Sequence, residues 1–172
     1  MSNFSLLNRL TSPPSNINLA QTKLPKKIRC HYQDPHLVER LSYVFFQHLK
    51  NLSANFSRPI VVVSIGTDRS TGDSLGPLVG TKLTTLNNQI YIYGSLDNPV
   101  HASNLEEKMA EIKKRFHNPL LVAVDACLGQ SENVGSISLA LGPLKPGAAV
   151  NKNLPEVGDL SFTGTVNVGG YM

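Results

Sequence analysis

The chain has 172 residues, of which 41% are hydrophobic, and this size and composition suit one globular domain with a substantial core. The net charge of +4 comes from residues 1–58, since the remainder carries more acids than Lys and Arg. No apolar run approaches the roughly 20 residues that span a bilayer, and the N-terminus shows no signal-peptide pattern. Two cysteines make no disulfide framework, so we predict a cytoplasmic protein without a membrane segment.

Residues 1–33 are rich in Ser, Asn, Pro and Lys, which predicts a loosely ordered basic leader before a single domain at residues 34–172. The basic cluster of the leader comprises Lys23, Lys26, Lys27 and Arg29. Contact with a nucleic acid or an acidic partner is one interpretation. We favour a solvated tail, because no aromatic residues interleave these cations, and we therefore expect no nucleic-acid partner.

The domain begins with an alternation of helices and strands. Asp34 and Pro35 suit an N-cap and a first helical position, and the apolar spacing that follows predicts a helix over residues 35–50. The β-branched run at residues 60–65 predicts a strand buried on both faces. Leucines at helical spacing predict the next helix from Leu75, and residues 89–94 predict a second strand.

The pattern continues with a helix over residues 103–116, for which Ser103 and Glu106 form a capping box, and a third apolar strand at 119–125. This order predicts an α/β fold of three layers, with a mostly parallel central sheet between helices. Alternating serines and aliphatic residues at 136–141 predict a half-exposed strand. Residues 141–158 predict a loop, and a last strand is expected at 162–168.

Polar residues follow each of the three predicted parallel strands, where ligands bind in open α/β sheets. Asp73 follows the first strand, residues 97–101 the second, and Asp125 ends the third. Two adjacent carboxylates have pKa values that are pushed apart, so the pair can activate water or hold a divalent metal. Asp73 has a structural alternative as a helix N-cap. For Asp125, burial of an acid after an apolar strand is costly without a partner or a purpose.

Other chemistries fit less well. The loop at residues 66–76 carries Asp73 where a phosphate-binding loop needs lysine, which disfavours nucleotide binding. We interpret Cys127 as a small buried thiol rather than a nucleophile. His101 lies in a loop that reaches the predicted site, either as a substrate contact or as an ordinary loop residue, and the histidines show no metal-ligand spacing.

Three motifs carry a family resemblance: SIGTDRSTGDSLGPLVG at residues 64–80, LLVAVDACLG at 120–129 and KPGAAV at 145–150. Together they resemble the YyaC family of sporulation proteins, which is similar to spore germination protease and more distantly to hydrogenase-maturation endopeptidases. The resemblance implies a phosphorylase/hydrolase-like fold. The two acids implicated in peptide hydrolysis by germination protease fall on Asp73 and Asp125. The hydrogenase peptidases bind metal with a third ligand, a later histidine, but residues 128–172 contain none.

The leading hypothesis is therefore a sporulation-associated peptidase in the cytoplasm of a forespore or mother cell. Asp73 and Asp125 are the expected catalytic residues, and Gly72 and His101 the expected substrate-binding residues. We expect a protein or peptide substrate and no cofactor, with a divalent metal at the two aspartates as the alternative and self-association left open. The family continues into a closing helix, so we expect a shortened chain. The competing hypothesis is a non-catalytic binding or regulatory protein that keeps the peptidase fold.

Overall fold

The structure of the protein is a computed structural model that describes residues 23–86, 90–146 and 154–169. The strands of the described part are β1 (Lys27–His31), β2 (Ile60–Ser64), β3 (Tyr91–Tyr93), β4 (Leu120–Gly129), β5 (Ser136–Leu141) and β6 (Leu160–Val168). Its α-helices are α1 (Leu37–Leu52), α2 (Leu75–Leu86) and α3 (Leu105–Arg115). None of these helices is both long enough and apolar enough to cross a membrane.

The strands form one sheet in the order β1-β5-β6-β4-β2-β3. Strands β3, β2, β4 and β6 pair in parallel, whereas β5 runs antiparallel to both β6 and β1. Five of the six strands therefore point the same way, and the predicted mostly parallel sheet is confirmed. The central strands β2 and β4 are apolar at almost every position because both faces of the sheet are covered.

Helices cover both faces, which confirms the predicted three layers. Helices α1 and α2 pack on one face, whose buried core comprises Cys30, Leu41, Val44, Leu49, Val62, Leu120, Val122, Val124, Leu139 and Leu160. Helix α3 packs on the opposite face, whose core comprises Val61, Val63, Ile65, Val100, Leu105, Met109, Ile112, Ala123, Leu144 and Val157. The alternation of β2 and β4 residues between these two sets is the side-chain period of a strand.

The predicted leader is the largest correction. Residues 27–31 form β1, which pairs antiparallel with β5, so the folded body begins before the predicted boundary at residue 34. Ile28 and Cys30 face the core beneath α1, while Lys27 and Arg29 alternate with them and are exposed. The strand alternates charged and apolar residues, but the four nearby cations were interpreted as a basic cluster rather than as the exposed side of a strand. Residues 1–22 lie outside the described part of the chain.

Both predicted helix caps are wrong. Helix α1 is preceded by His36 in the N-cap position, and the Asp34 carboxylate instead accepts hydrogen bonds from the His36 N–H at 2.8 Å and from Arg40 at 3.0 Å. Helix α3 is preceded by Asn104 rather than by Ser103, so the predicted capping box does not form. In each case a short-range bond within the preceding turn competes with the helix cap.

The remaining strand boundaries shift for reasons of pairing. Strand β4 continues past residue 125 to Gly129, because β6 pairs with it along this length. The predicted strand at 89–94 shortens to β3, and residue 89 is not described. Strand β5 was expected to be half-exposed, but Ser136 and Ser138 are buried, so this expectation is wrong. Within the predicted loop at 141–158, a bridge joins Leu144 to Val157, and residues 147–153 are not described.

Candidate functional site

The loop after β2 folds back over the end of its own strand. Gly66 has a φ of +138°, and a Cβ atom at this position would lie 2.0 Å from the backbone oxygen of Asp73. The Gly66 N–H donates to the carbonyl of Val100 at 2.8 Å, and the Thr67 N–H donates to the backbone carbonyl of Asp73 at 3.1 Å. Because only glycine fits this conformation and this close approach, Gly66 lets the loop return Asp73 to the carboxyl end of the sheet.

Asp73 ends a short 3₁₀ turn, Thr71–Asp73, and Ser74 separates it from α2. The carbonyl of Ser74 accepts the first helical bond, from the N–H of Leu78 at 3.0 Å. Ser74 therefore holds the N-cap position, and the alternative interpretation of Asp73 as the N-cap is wrong. The half-buried Asp73 carboxyl is left for other contacts.

Asp125 is buried within β4, and only 7% of its surface is exposed. Burial raises the pKa of this carboxyl to about 7, with a further contribution from the nearby negative charge of Asp73. The backbone N–H of Ala126 opposes the increase, because it hydrogen-bonds the ionised form. Asp125 consequently keeps its proton close to neutral pH, about three units above an ordinary aspartate.

The pKa of Asp73 is also raised, chiefly by partial burial. Two features oppose this increase: a hydrogen bond from the backbone N–H of Thr67 and the positive charge that His101 carries when protonated. These contacts favour the ionised form of Asp73 while Asp125 is protonated. The two carboxyl groups thus differ in charge near neutral pH, as in an acid–base pair.

His101 follows directly on Val100, whose bridge to Ile65 ties this segment to the end of β2. Its backbone N–H donates to Asn104 Oδ1 at 2.8 Å. The N–H of Ser103 donates to His101 Nδ1 at 3.3 Å, so the neutral ring carries its proton on Nε2. The loop therefore fixes both the position and the tautomer of the imidazole.

The structure thus brings three of the four predicted site residues into one electrostatic cluster: Asp73, Asp125 and His101. Gly72 differs, since it is exposed in the turn and an added Cβ would meet only Ser70 Oγ, at 4.0 Å. The catalytic and substrate-binding roles of all four residues stay predictions. Metal binding also stays open: within the described ranges no three His, Cys, Asp or Glu residues group as metal ligands, which leaves two carboxylates and solvent as candidate ligands.

Two threonines of β6 lie beside Asp125 and Cys127, and their position was not predicted from the sequence. Thr163 of β6 is the cross-strand partner of Asp125, and Thr165 is the partner of Cys127. Cys127 Sγ and Thr165 Oγ1 lie 3.5 Å apart, so the thiol projects from the same face as Asp125 and is only partly buried. The alternation of threonines in residues 162–166 was the signal in the sequence, but the pairing with β4 could not be deduced from it.

Comparison with known proteins agrees with the motifs. The chain is 59% identical to "Uncharacterized protein YyaC" of Bacillus subtilis (strain 168) over 116 residues, which supports the predicted resemblance to the YyaC family. The match covers 67% of this chain but only 57% of the Bacillus protein. The family described as "Protein of unknown function (DUF1256)" matches residues 29–172, from β1 to the last residue given. The chain therefore belongs to the DUF1256 family.

Proposed function

We propose that this protein is a sporulation-associated peptidase that hydrolyses peptide bonds with Asp73 and Asp125. One observation carries the proposal: Asp125 is a buried carboxyl whose pKa is raised to about 7, in part by the charge of Asp73. Both lie towards the carboxyl ends of parallel strands, where open α/β sheets commonly bind ligands. A buried acid is costly without a function or a partner, and the negative charge of Asp73 raises the pKa of Asp125 further.

In the proposed reaction the ionised Asp73 accepts a proton from a water molecule, and the oxygen of that water bonds to the peptide carbonyl carbon. Asp125 then donates its proton to the amide nitrogen. The C–N bond breaks to give a carboxylic acid and an amine, and a proton passes from Asp73 back to Asp125 through solvent. His101 contacts the substrate or stabilises the charge of Asp73, and the open turn around Gly72 leaves room for a peptide.

The family resemblance supports the same reaction. The motif positions of the two aspartates match those implicated in spore germination protease, which suggests protein or peptide substrates in a forespore or mother cell. This step is an analogy, since a fold can host several activities. The site itself therefore has to be tested.

The test compares the purified wild-type chain with Asp73→Asn and Asp125→Asn on a denatured, proteome-derived peptide mixture, with new termini identified by mass spectrometry. We expect each substitution to lower the cleavage rate at least about 100-fold, because it removes an acid or base from the reaction. Asp68→Asn is the matched control, since Asp68 is an exposed acid of the same loop. The control should cleave at the wild-type rate.

Two results would contradict the proposal. Equal cleavage by all four proteins would exclude the two-aspartate mechanism. No cleavage by the wild type across a range of pH and divalent metals would favour the competing hypothesis of a binding or regulatory protein. In that case Asp73→Asn and Asp125→Asn should alter the recovery of a bound peptide rather than a rate.

A further inference from the structure

A straight row of polar side chains crosses the sheet from Asp125 to its β1 edge. Asp125 pairs with Thr163 of β6, Thr163 pairs with Ser138 of β5, and Ser138 pairs with Arg29 of β1. Directly paired residues project from the same face of a sheet, so all four side chains lie on the α3 side. We call these four residues the polar row.

The polar row is not a continuation of the apolar core. Where α3 packs on this face, the buried residues of β2 and β4 are Val61, Val63 and Ala123. Towards the starts of the strands, the Leu144–Val157 bridge packs against the same cluster. Along the row itself the side chains of β5 and β6 are small hydroxyls. Thr163 is only partly buried and offers a hydroxyl to a bound chain, whereas Ser138 is buried and accepts a hydrogen bond from Arg29.

Arg29 supplies a positive charge at the far end of the polar row. Its Nε donates to Ser138 Oγ at 3.3 Å, and its Nη1 donates to Asn133 Oδ1 at 2.6 Å. The guanidinium therefore lies against β5 and the turn that precedes it. Both partners are neutral, and the described residues give Arg29 no ion pair. Since a guanidinium has five N–H donors, several remain available for a carboxylate.

The spacing fits a peptide bound across the strands. Ser138 and Asp125 are two strands apart, which is about 10 Å at the usual strand separation. An extended peptide advances about 3.3–3.6 Å per residue, so about three residues cover this distance. An acidic side chain two to four residues from the scissile bond would therefore reach Arg29.

We propose that the polar row is a substrate-binding subsite, in which Arg29 selects an acidic side chain two to four residues from the bond at Asp73 and Asp125. The inference rests on the proposed peptidase activity and adds the class of substrate: extended segments that carry Asp or Glu near the cleaved bond. The partly buried Thr163 hydrogen-bonds the intervening backbone, while the buried Ser138 positions the Arg29 side chain. Arg29 is thus a specificity-determining residue without a part in the proton transfers.

Cleavage-site mapping tests this subsite directly. In the peptide mixture used above, we expect Asp and Glu to be enriched at least threefold at one position two to four residues from the cleaved bonds. Arg29→Gln should abolish the enrichment while cleavage continues, and Arg29→Glu should replace it with a preference for Lys and Arg. Lys26→Gln removes the same charge from an exposed residue just before β1, and it should keep the acidic preference. Enrichment that is absent, or that survives Arg29→Gln, overturns the proposal.

A binding measurement separates this inference from the proposed catalysis. Two pools of unstructured twelve-residue peptides, identical except that glutamate in one is glutamine in the other, are passed over immobilised protein. We expect the wild type and Lys26→Gln to retain the glutamate pool at least threefold better, and Arg29→Gln to retain both pools equally. This result without cleavage would remove the hydrolytic mechanism but keep the acidic subsite. Equal retention of the two pools by the wild type would overturn the subsite.

Discussion

Asp125 and Asp73 share one electrostatic environment, in which the charge of Asp73 adds to burial in raising the pKa of Asp125 to about 7. The two residues reach this environment by different routes. Asp125 is part of a paired strand, whereas Asp73 is returned to the strand end by a loop that closes at Gly66. A paired strand and a tightly closed loop together hold the two carboxyl groups near each other, which the unfolded chain would not do.

The raised pKa of Asp125 predicts a folding stability that falls as pH rises. The folded protein keeps this proton up to about pH 7, whereas an unperturbed aspartate releases it near 3.8. Between these values the unfolded state binds fewer protons, so the free energy of unfolding decreases with pH. The stabilisation is complete below the unfolded pKa and is lost by about pH 8. Urea unfolding should show a loss on the order of 4 kcal/mol across this range from Asp125 alone.

The Asp125→Asn variant provides the control for that measurement, because it has no proton to release. It should lack this part of the pH dependence and should exceed the wild type in stability at about pH 8. Asp97→Asn, which changes an exposed acid, should keep the wild-type dependence. If Asp125→Asn loses stability with pH as steeply as the wild type, the carboxyl does not hold its proton in the folded state.

The convergence of Asp73 and Asp125 could be predicted because it follows from topology. Parallel strands carry their carboxyl ends to one edge of a sheet, and both acids follow short apolar runs that are typical of central strands. Helices α1, α2 and α3 were predicted for an equally simple reason, since their apolar residues recur at helical spacing.

The polar row could not be predicted, because it depends on which strands pair and in which register. Strand β5 is reversed and lies between β1 and β6, so Arg29, Ser138 and Thr163 become neighbours only through two antiparallel pairings. From the sequence, Arg29 is predicted to lie in a loosely ordered leader, and residues 136–141 are predicted only to form a half-exposed strand. Residues that pair across strands but lie far apart in the sequence produce no local pattern that could reveal the pairing.

Replacing Gly66 with alanine tests the loop that carries Asp73. The added methyl group would meet the backbone oxygen of Asp73 at 2.0 Å, and alanine disfavours the φ of +138°. We expect Gly66→Ala to lower the free energy of unfolding by at least about 2 kcal/mol in urea titrations. Gly72→Ala is the matched control in the same loop, because its Cβ has open space, and it should change stability by less than about 1 kcal/mol. Equal effects at the two sites would contradict the described loop closure.

Arg58 is predicted to be a structural link between the segments that enter the sheet. Its guanidinium donates to the carbonyls of Leu52, Asn118 and Pro119 and pairs with the Asp159 carboxylate at 3.0 Å. Arg58→Ala leaves these partly buried acceptors without their donor, so we expect a loss of about 2–4 kcal/mol in the free energy of unfolding. Arg69→Ala, which removes an exposed arginine, should cost less than about 0.5 kcal/mol. Similar losses for the two variants would show that Arg58 has no special role.

The pH dependence of peptide cleavage is a second consequence of the aspartate pair. The proposed reaction needs Asp125 protonated and Asp73 ionised, so kcat/KM should fall as pH rises through about 7, where Asp125 loses its proton. It should also fall in acid, where Asp73 takes up a proton at a pKa above that of an ordinary aspartate. A rate that stays constant from about pH 6 to about pH 9 would exclude Asp125 as the proton donor. Because the two carboxyl groups interact, the apparent pKa values of the two limbs describe the pair rather than either residue alone.

The acidic limb of that profile is expected to depend on His101. The protonated ring lowers the pKa of Asp73 and so favours the ionised form that accepts a proton from water. His101→Gln keeps a polar side chain of similar reach but removes this charge, so the acidic limb should move to higher pH while the limb near pH 7 stays in place. His117→Gln, which changes an exposed histidine after α3, should leave both limbs unchanged. An unaltered acidic limb in His101→Gln would mean that the histidine does not act on Asp73. A uniform fall in kcat/KM, with both limbs in place, would instead assign His101 to substrate binding alone.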